Sequence, residues 1–427
     1  VRRLAPSGHE TGGLRDLADQ AREVMDRRLQ PKSRRPIAVA FSGGGDSLAL
    51  LLAAQAWAAR TRRALVALNV DHRLNADSAQ WAETCARTAD RLGVEFQGLA
   101  WTGHKPATGL PAAGRIARHR LLAAAARAIG ARVILMGHTA DDVIEARLMR
   151  EAGATTPSPV EWSPSPAWPE GRGLFLLRPL LGARRAEIRK WLSRRGESWI
   201  DDPANADARY SRPRARRTAA ACETEPPPQA SALSSAEDVE ESAGAFRLSR
   251  ARVLAAGPDE AARVLAIACV CAGGGARTPA AARVRNLVDR LASDISFVGT
   301  LAGARIEVRD DAILICREPG EAARGGLGAL ALTPGEALVW DGRVQLKAAR
   351  DGLSVRRLSG LARQLPRSQQ TALSALPPAI RGGLPAVLDE AGAVSCPLLG
   401  ETAGVKAKVV VRKRFRAAAG LIRREPD

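Results

Sequence analysis

Ile37-Ala38-Val39-Ala40-Phe41-Ser42-Gly43-Gly44-Gly45-Asp46-Ser47, followed at once by Leu48-Ala49-Leu50-Leu51-Leu52, is the stretch around which the chain is organised. A short apolar run rich in strand formers, a Ser/Gly turn and a helix-forming run together predict strand, tight loop and helix start. Such a loop suits an anion. Glycines without a Cβ let the backbone approach a ligand closely, and the first amides of the helix, backed by its dipole, point into the loop. Ser42 and Ser47 add hydroxyl donors. Asp46 places a carboxylate among phosphate-binding groups, which makes physical sense when a cation such as Mg²⁺ lies between acid and phosphate. No lysine follows the glycines as a Walker A sequence requires, and the spacing is not that of a dinucleotide fingerprint. The plainer reading is a Gly/Ser turn closing a core strand. Strand before, acid within and helix after agree on the phosphate loop.

Outward from this stretch, the chain alternates. A helical pattern at Leu14, Leu17, Ala18, Ala21 and Met25 precedes the loop, and a helix follows it to about Arg60. Ala64–Val70 reads as a second buried strand ending in Asp71-His72-Arg73-Leu74, Ser78 to Leu92 as a helix, and Val94–Leu99 as a third strand. Gly114-Arg115-Ile116-Ala117-Arg118-His119-Arg120 belongs to a helix running to Ile129, and its three arginines cannot all share one narrow face. Val133–Gly137 is a fourth buried strand, delivering His138-Thr139-Ala140-Asp141-Asp142-Val143-Ile144-Glu145 at its end. Asp142 and Glu145 lie three apart, on one helix face. Carboxylates and an imidazole at a strand's C-terminal end suit a cation or amine, although the helix dipole alone accounts for Asp141.

The alternation implies an α/β fold with a doubly wound, mostly parallel sheet over residues 1–217. Residues 153–173 interrupt it with five prolines and two tryptophans, a loop long enough to be functional or disordered. Leu174–Leu177 resumes as a strand and Arg184–Arg195 as a basic helix, and residues 198–217 close the region with an arginine cluster beside the only tyrosine, Tyr210. Residues 218–244 turn to Pro, Ser, Ala and Glu and read as a linker passing into a helix. Residues 245–330 read as a mainly helical domain with a hairpin around Asp310-Asp311. Residues 331–427 read as a small basic α+β domain with β-like runs at Ala337–Trp340, Val344–Lys347 and Val405–Arg412. No catalytic constellation occurs in this second half, which suits holding a large substrate.

Composition narrows the partners. A chain of 427 residues, 46% hydrophobic, has room for two or three domains and a sizeable core. Its net charge of +19 comes mostly from arginine spread along the whole length, which favours a polyanion, nucleic acid before membrane, unless the source organism simply prefers arginine. Cys85, Cys222, Cys269, Cys271, Cys316 and Cys396 form no Cys-x-x-Cys pair and read as reduced thiols. No apolar stretch is long enough to span a bilayer and the N-terminal residues lack a signal-peptide core, so the expected location is the cytoplasm.

Ser42-Gly43-Gly44-Gly45-Asp46-Ser47 after a strand resembles the pyrophosphate loop of the ATP pyrophosphatases, the PP-loop superfamily with an adenine nucleotide alpha hydrolase-like fold. With Val70–Leu74, His138 to Glu145 and Trp199 to Arg216 in the same order, residues 36–217 resemble the tRNA(Ile)-lysidine synthase family, with a weaker echo at Val339-Trp340-Asp341-Gly342-Arg343. The resemblance implies ATP-dependent attachment of free L-lysine to C2 of the wobble cytidine in a tRNA(Ile) with a CAU anticodon, through adenylation of the cytidine O2 and attack by the lysine amine. It also implies that Ser42, Gly43, Gly44, Gly45 and Ser47 hold the ATP phosphates, that Asp46 brings Mg²⁺, and that Arg115 lies near the reacting cytidine or phosphate. Asp142 and Glu145 would hold the lysine ammonium, and Arg212 and Arg216 would contact tRNA, with a homodimer as a possible assembly. Val143 and Ala146 replace a Gln and a Thr usual in the family, and Arg150-Glu151-Ala152-Gly153 replaces its Arg-Gly-Ser-Gly stretch. A tRNA cytidine thiolase, a small-molecule ligase such as GMP or NAD synthetase, and a non-catalytic tRNA-binding relative are the rivals. The thiolase needs cysteines to carry sulfur or a cluster.

Overall fold

The computed structural model describes residues 16–75, 77–154, 157–201, 239–293 and 296–427, with 215, 218, 219, 222 and 233–236. Contacts divide the chain into two units. One holds the described residues within 1–163, 174–230 and 424–427, and the other holds 164–173 and those within 231–423.

The first unit alternates helix and strand: α1 (Leu17–Arg28), β1 (Ile37–Ala40), α2 (Gly45–Thr61), β2 (Leu65–Asp71), α3 (Ser78–Arg91), β3 (Glu95–Ala100), α4 (Leu110–Ala128), β4 (Val133–Leu135), α5 (Ala140–Glu151), β5 (Trp162–Pro164), β6 (Phe175–Leu177) and α6 (Arg185–Arg194). The sheet order is β3-β2-β1-β4-β6-β5, with β1 parallel to both β2 and β4, β2 to β3 and β4 to β6. Ile37-Ala38-Val39, Val133-Ile134-Leu135 and Phe175-Leu176-Leu177 are each buried throughout. Central parallel strands covered by helices on both faces require such unbroken apolar runs. Helix α2 packs Leu48, Leu50, Leu51, Ala54 and Trp57 inward. The winding reverses at β1, with β2 on one side and β4 on the other, and ligands of open α/β sheets bind in the crevice at such a reversal.

Among the described residues the second unit has three antiparallel sheets, of five, four and three strands. The largest contains the hairpin Ala304–Arg309 with Ala312–Arg317, turning at Asp310-Asp311. Its apolar face is covered by the helices Pro258–Ala272, Ala281–Ser293 and Val411–Ala418. Ahead of these helices, Ala245–Ser249 is a strand paired with Glu240–Ser242, so the end of the expected linker is part of a sheet. Val405–Val409 is a strand, but the run read as β beyond it becomes the helix Val411–Ala418. Asp341 forms a buried centre: its Oδ2 accepts from Arg317 Nε (2.8 Å) and Arg343 Nε (2.9 Å). Residues 164–173 of the proline-rich stretch belong to this unit, where Trp168 Nε1 donates to the Gly342 carbonyl at 3.0 Å and the Arg414 guanidinium lies 4.1 Å from the Trp168 ring.

The chain returns to the first unit at residues 424–427. Arg63 donates from Nη1 and Nη2 to Glu425 at 2.7 and 2.8 Å, with both side chains 1% exposed. Removing one partner of a buried pair leaves an uncompensated charge, so Glu425→Ala is expected to destabilise the first unit by about 3–5 kcal/mol. Denaturant unfolding reads this, and replacing both partners with apolar residues should recover most of the loss. His119 on α4 offers a pH test. Burial, then Arg118, Arg115 and Arg178, push its pKa down to about 3. The unfolded chain binds that proton near pH 6.5, so stability is full above about 6.5 and is lost as pH falls, at up to about 1.4 kcal/mol per pH unit. His119→Gln should flatten the decline between pH 6.5 and 5; parallel profiles would remove His119 as its source.

Candidate active site: a phosphate loop facing an acidic cluster

The loop after β1 is shaped by contacts that only glycine permits. Gly43 has φ of +80°, and a Cβ there would lie 2.5 Å from Ile200 Cδ1 and 2.9 Å from Cys85 Sγ. The Gly43 carbonyl accepts from the Ile200 amide at 3.0 Å, and Trp199 packs beside Gly45. Ser47 Oγ accepts from the Ser42 amide at 3.2 Å and donates to the Gly44 carbonyl at 2.8 Å, while the Ser42 and Ser47 hydroxyls lie 3.2 Å apart. Helix α2 starts at Gly45, so Asp46 and Ser47 stand in its first turn, where amides have no acceptor within the helix. The loop is thus braced before any ligand arrives.

Across the crevice stands the turn after β4. Gly137 meets the first turn of α2 so closely that a Cβ would lie 3.1 Å from the Asp46 carbonyl oxygen. The next residues carry the acids. Asp142 Oδ2 accepts from the Thr139 amide at 2.8 Å and from Thr139 Oγ1 at 2.9 Å, so Asp142 caps α5 and is fixed by it. Asp141, which the dipole alone could account for, instead reaches the start of α6: its Oδ2 accepts from the Arg185 amide (2.7 Å), and its Oδ1 lies 3.1 Å from Arg184 Nη2.

Arg185 joins the two sides. Its Nε donates to Asp46 Oδ2 at 3.0 Å and its Nη1 to Glu145 Oε1 at 2.8 Å, and Nη2 lies 3.4 Å from Asp142 Oδ1. Burial lowers its pKa, but Asp142, Glu145 and Asp46 together outweigh burial and hold the guanidinium charged. Asp46 and the neighbouring pair Asp142 and Glu145, far from it in sequence, therefore meet around one cation.

On the other flank, Arg178 of the segment after β6 donates from Nε to His138 Nδ1 at 3.0 Å and from Nη1 to the Val160 carbonyl at 2.6 Å. An accepting Nδ1 places the His138 proton on Nε2. Burial, then Arg115, push the Arg178 pKa down to about 10, which puts Arg115 of α4 within electrostatic reach of this flank. Arg120 of the same helix is exposed. Arg212 and Arg216 lie outside the described residues.

Sequence reasoning missed Arg178, Arg184, Arg185 and the bracing role of Ile200. A signal for the arginine pair existed: Arg184 and Arg185 sit at the N-terminus of α6, where the helix dipole disfavours cations unless acids face them.

Among the described residues no group of three His, Cys, Asp or Glu side chains is placed to hold a metal ion, the three carboxylates here meeting around Arg185 instead. Mg²⁺, however, usually takes one or two carboxylates and completes its shell with water and substrate phosphate. Asp46, partly exposed beside the phosphate loop, fits that use.

Comparison with known proteins places the chain in a family. Residues 17–221 match a family described as the PP-loop domain. The chain is 48% identical over 418 residues to the tRNA(Ile)-lysidine synthase of Caulobacter vibrioides, covering 95% of this chain and 98% of that protein. It is 36% identical to the tRNA(Ile)-lysidine synthase of Hyphomonas neptunium, over 70% of this chain and 86% of that one. Among solved structures, the U34-tRNA thiolase NcsA from Methanococcus maripaludis is similar at a TM-score of 0.40 and 15% identity, over 47% of this chain and 71% of its own. From the near-complete overlap with the Caulobacter vibrioides relative, the chain belongs to the tRNA(Ile)-lysidine synthase family.

Proposed function

We propose that this protein joins free L-lysine to C2 of the wobble cytidine, C34, in a tRNA(Ile) with a CAU anticodon, converting ATP to AMP and pyrophosphate. The observation that carries the reading is the meeting of Asp46 on the phosphate loop with Asp142 and Glu145 around one cation at the sheet's reversal. A phosphate site and an ammonium site are then neighbours, as a reaction joining an amine to an adenylated base needs.

In the first step the cytidine O2 attacks the α-phosphorus of ATP and pyrophosphate leaves. Ser42, Gly43, Gly44, Gly45 and Ser47 hold the phosphates through loop amides and hydroxyls, aimed where negative charge grows. Mg²⁺, held at Asp46 when bound, supplies charge neutralisation of the leaving pyrophosphate. Arg115 supports the reacting cytidine or its phosphate from the α4 side. In the second step the lysine side-chain amine, its proton given up to water, attacks C2; the C2–O2 bond breaks and AMP leaves carrying O2. Asp142 and Glu145, 6% and 1% exposed, hold the amino acid's ammonium in the position Arg185 marks. An anticodon loop presents its base unpaired, so little energy is needed to bring C34 into the crevice.

Five of the six thiols are poorly suited to sulfur transfer, Cys222 being the partly exposed one. Burial pushes Cys85, Cys269, Cys271 and Cys316 up to about 12 and Cys396 up to about 11, away from the reactive thiolate. Arg212 and Arg216, outside the described residues, remain proposed contacts to tRNA, in keeping with the net charge of +19.

AMP release tests the first step. It is expected to require ATP and a tRNA with C34, and to vanish in Asp46→Ala while tRNA binding stays within twofold; turnover surviving in that variant would contradict the role given to Asp46. Glu145→Gln removes a charge-assisted contact, worth roughly 1.5–3 kcal/mol, and should raise the KM for lysine by about 10- to 100-fold with little change in that for ATP. Equal effects on both substrates would refute the separate ammonium site. Arg212→Ala with Arg216→Ala should weaken tRNA binding and reduce its salt slope by about 0.7–0.9 per lost phosphate contact.

A further inference from the structure

We infer that Arg185 couples the two substrate sites, standing in for the amino-acid ammonium when the phosphate loop is empty and moving to the phosphates when ATP binds. The inference rests on the reading of Asp142 and Glu145 as the lysine site and goes beyond it by naming what empties that site.

Three features of the side chain argue for this exchange. First, its donors divide between the two sites: Nε faces Asp46 on the phosphate loop, and Nη1 and Nη2 face Glu145 and Asp142 on the far side. A lysine ammonium at the acidic pair needs the same carboxylate faces, so Arg185 and lysine cannot both occupy them. Second, the anchor and the head are separable. The Arg185 amide is held by Asp141 at 2.7 Å at the start of α6, so the guanidinium can swing on its flexible stem without the helix moving. Third, an arriving polyphosphate offers the guanidinium an alternative set of anionic partners. A guanidinium matches phosphate oxygens in a bidentate fork, and Asp46, its nearest partner on the loop, is the group expected to turn to a cation shared with ATP.

Departure of the guanidinium removes one ion pair from each of Asp142 and Glu145. Glu145, at 1% exposure, cannot regain that stabilisation from bulk water, so the pair then draws in the lysine ammonium. ATP thereby raises affinity for lysine, and lysine must raise affinity for ATP by the same factor. Arg185 is a positioning residue in this scheme: it fixes the order in which the pockets become competent and keeps other cations from the acidic pair until phosphate is present.

The test is equilibrium dialysis of labelled L-lysine against the full-length protein saturated with tRNA(Ile), with and without Mg²⁺ and α,β-methylene-ATP, which occupies the loop but cannot be split at that bond. In the native protein the analogue is expected to tighten lysine binding about fivefold or more, the lower end of ordinary coupling. In Arg185→Gln, lysine should bind without the analogue at least as tightly as it binds the native protein with it, and the coupling should fall below twofold. Lysine binding in the native protein with no effect of the analogue, or unchanged coupling in Arg185→Gln, overturns the inference while leaving the lysine site intact. No lysine binding by the native protein in either condition overturns the lysine site and the inference with it. If Arg185→Gln does not fold, Arg185→Lys serves: its single ammonium cannot span from Asp46 to Glu145, so coupling should fall at least threefold, and coupling equal to that of the native protein counts against the inference.

Discussion

The close approach of Gly137 to the first turn of α2 is the constraint on which the site depends. A Cβ at position 137 would lie 3.1–3.2 Å from the backbone at Asp46 and Ser47, closer than ordinary van der Waals contact, so a side chain there would press β4's exit loop against the phosphate loop. Because that loop leads directly into α5, the same contact fixes where Asp142 and Glu145 project. Thr139 completes the placement by capping the helix with Asp142. The parallel sheet puts β1 and β4 side by side, and the missing Cβ brings their exit loops into contact. The phosphate loop and the acidic pair thereby become neighbours, with Arg185 bridging them.

Placing three carboxylates together carries an electrostatic cost, and the protein meets it with arginine. Arg185 satisfies Asp46, Asp142 and Glu145 at once, Arg184 takes Asp141, and on the opposite flank Arg178 orients His138. Each arginine is attached to a backbone or helix terminus that holds it at the crevice. The high arginine content therefore has two meanings. Part of it is a diffuse positive field suited to a polyanion, and part is a set of specific counter-ions for the acids of the site.

Much of the first unit was legible in its residues, because its strands are buried on both faces and read as unbroken apolar runs. Ile37–Ala40 and Val133–Leu135 lie inside the strands expected for them, and Ala337–Trp340 has the bounds its pattern suggests. The helix after the phosphate loop starts earlier than expected, at Gly45, since glycines tolerate the helical first turn as well as a loop. The strand Ala245–Ser249 was hidden because Ala-Phe-Arg-Leu sits against a helical run in sequence, and its pairing with Ala312–Arg317 is a long-range fact. Val411–Ala418 was hidden by the β-branched residues that lead into it. The acids of the site were visible as a pattern of spacing, but Arg185 was not. A basic residue on a basic helix reads as solvated, and its partners lie 139 and 40 residues away in the chain.

The central claim is that a phosphate loop and an ammonium site, set side by side at the sheet's reversal, join lysine to a base activated by ATP. Transfer of isotope-labelled L-lysine into tRNA(Ile) bearing a CAU anticodon, followed by digestion and mass analysis of the nucleosides, tests this most directly. The account predicts one labelled lysine per tRNA, at the wobble cytidine alone, only when ATP is present. Unmodified cytidine under these conditions, or lysine entering tRNA without ATP, would contradict it.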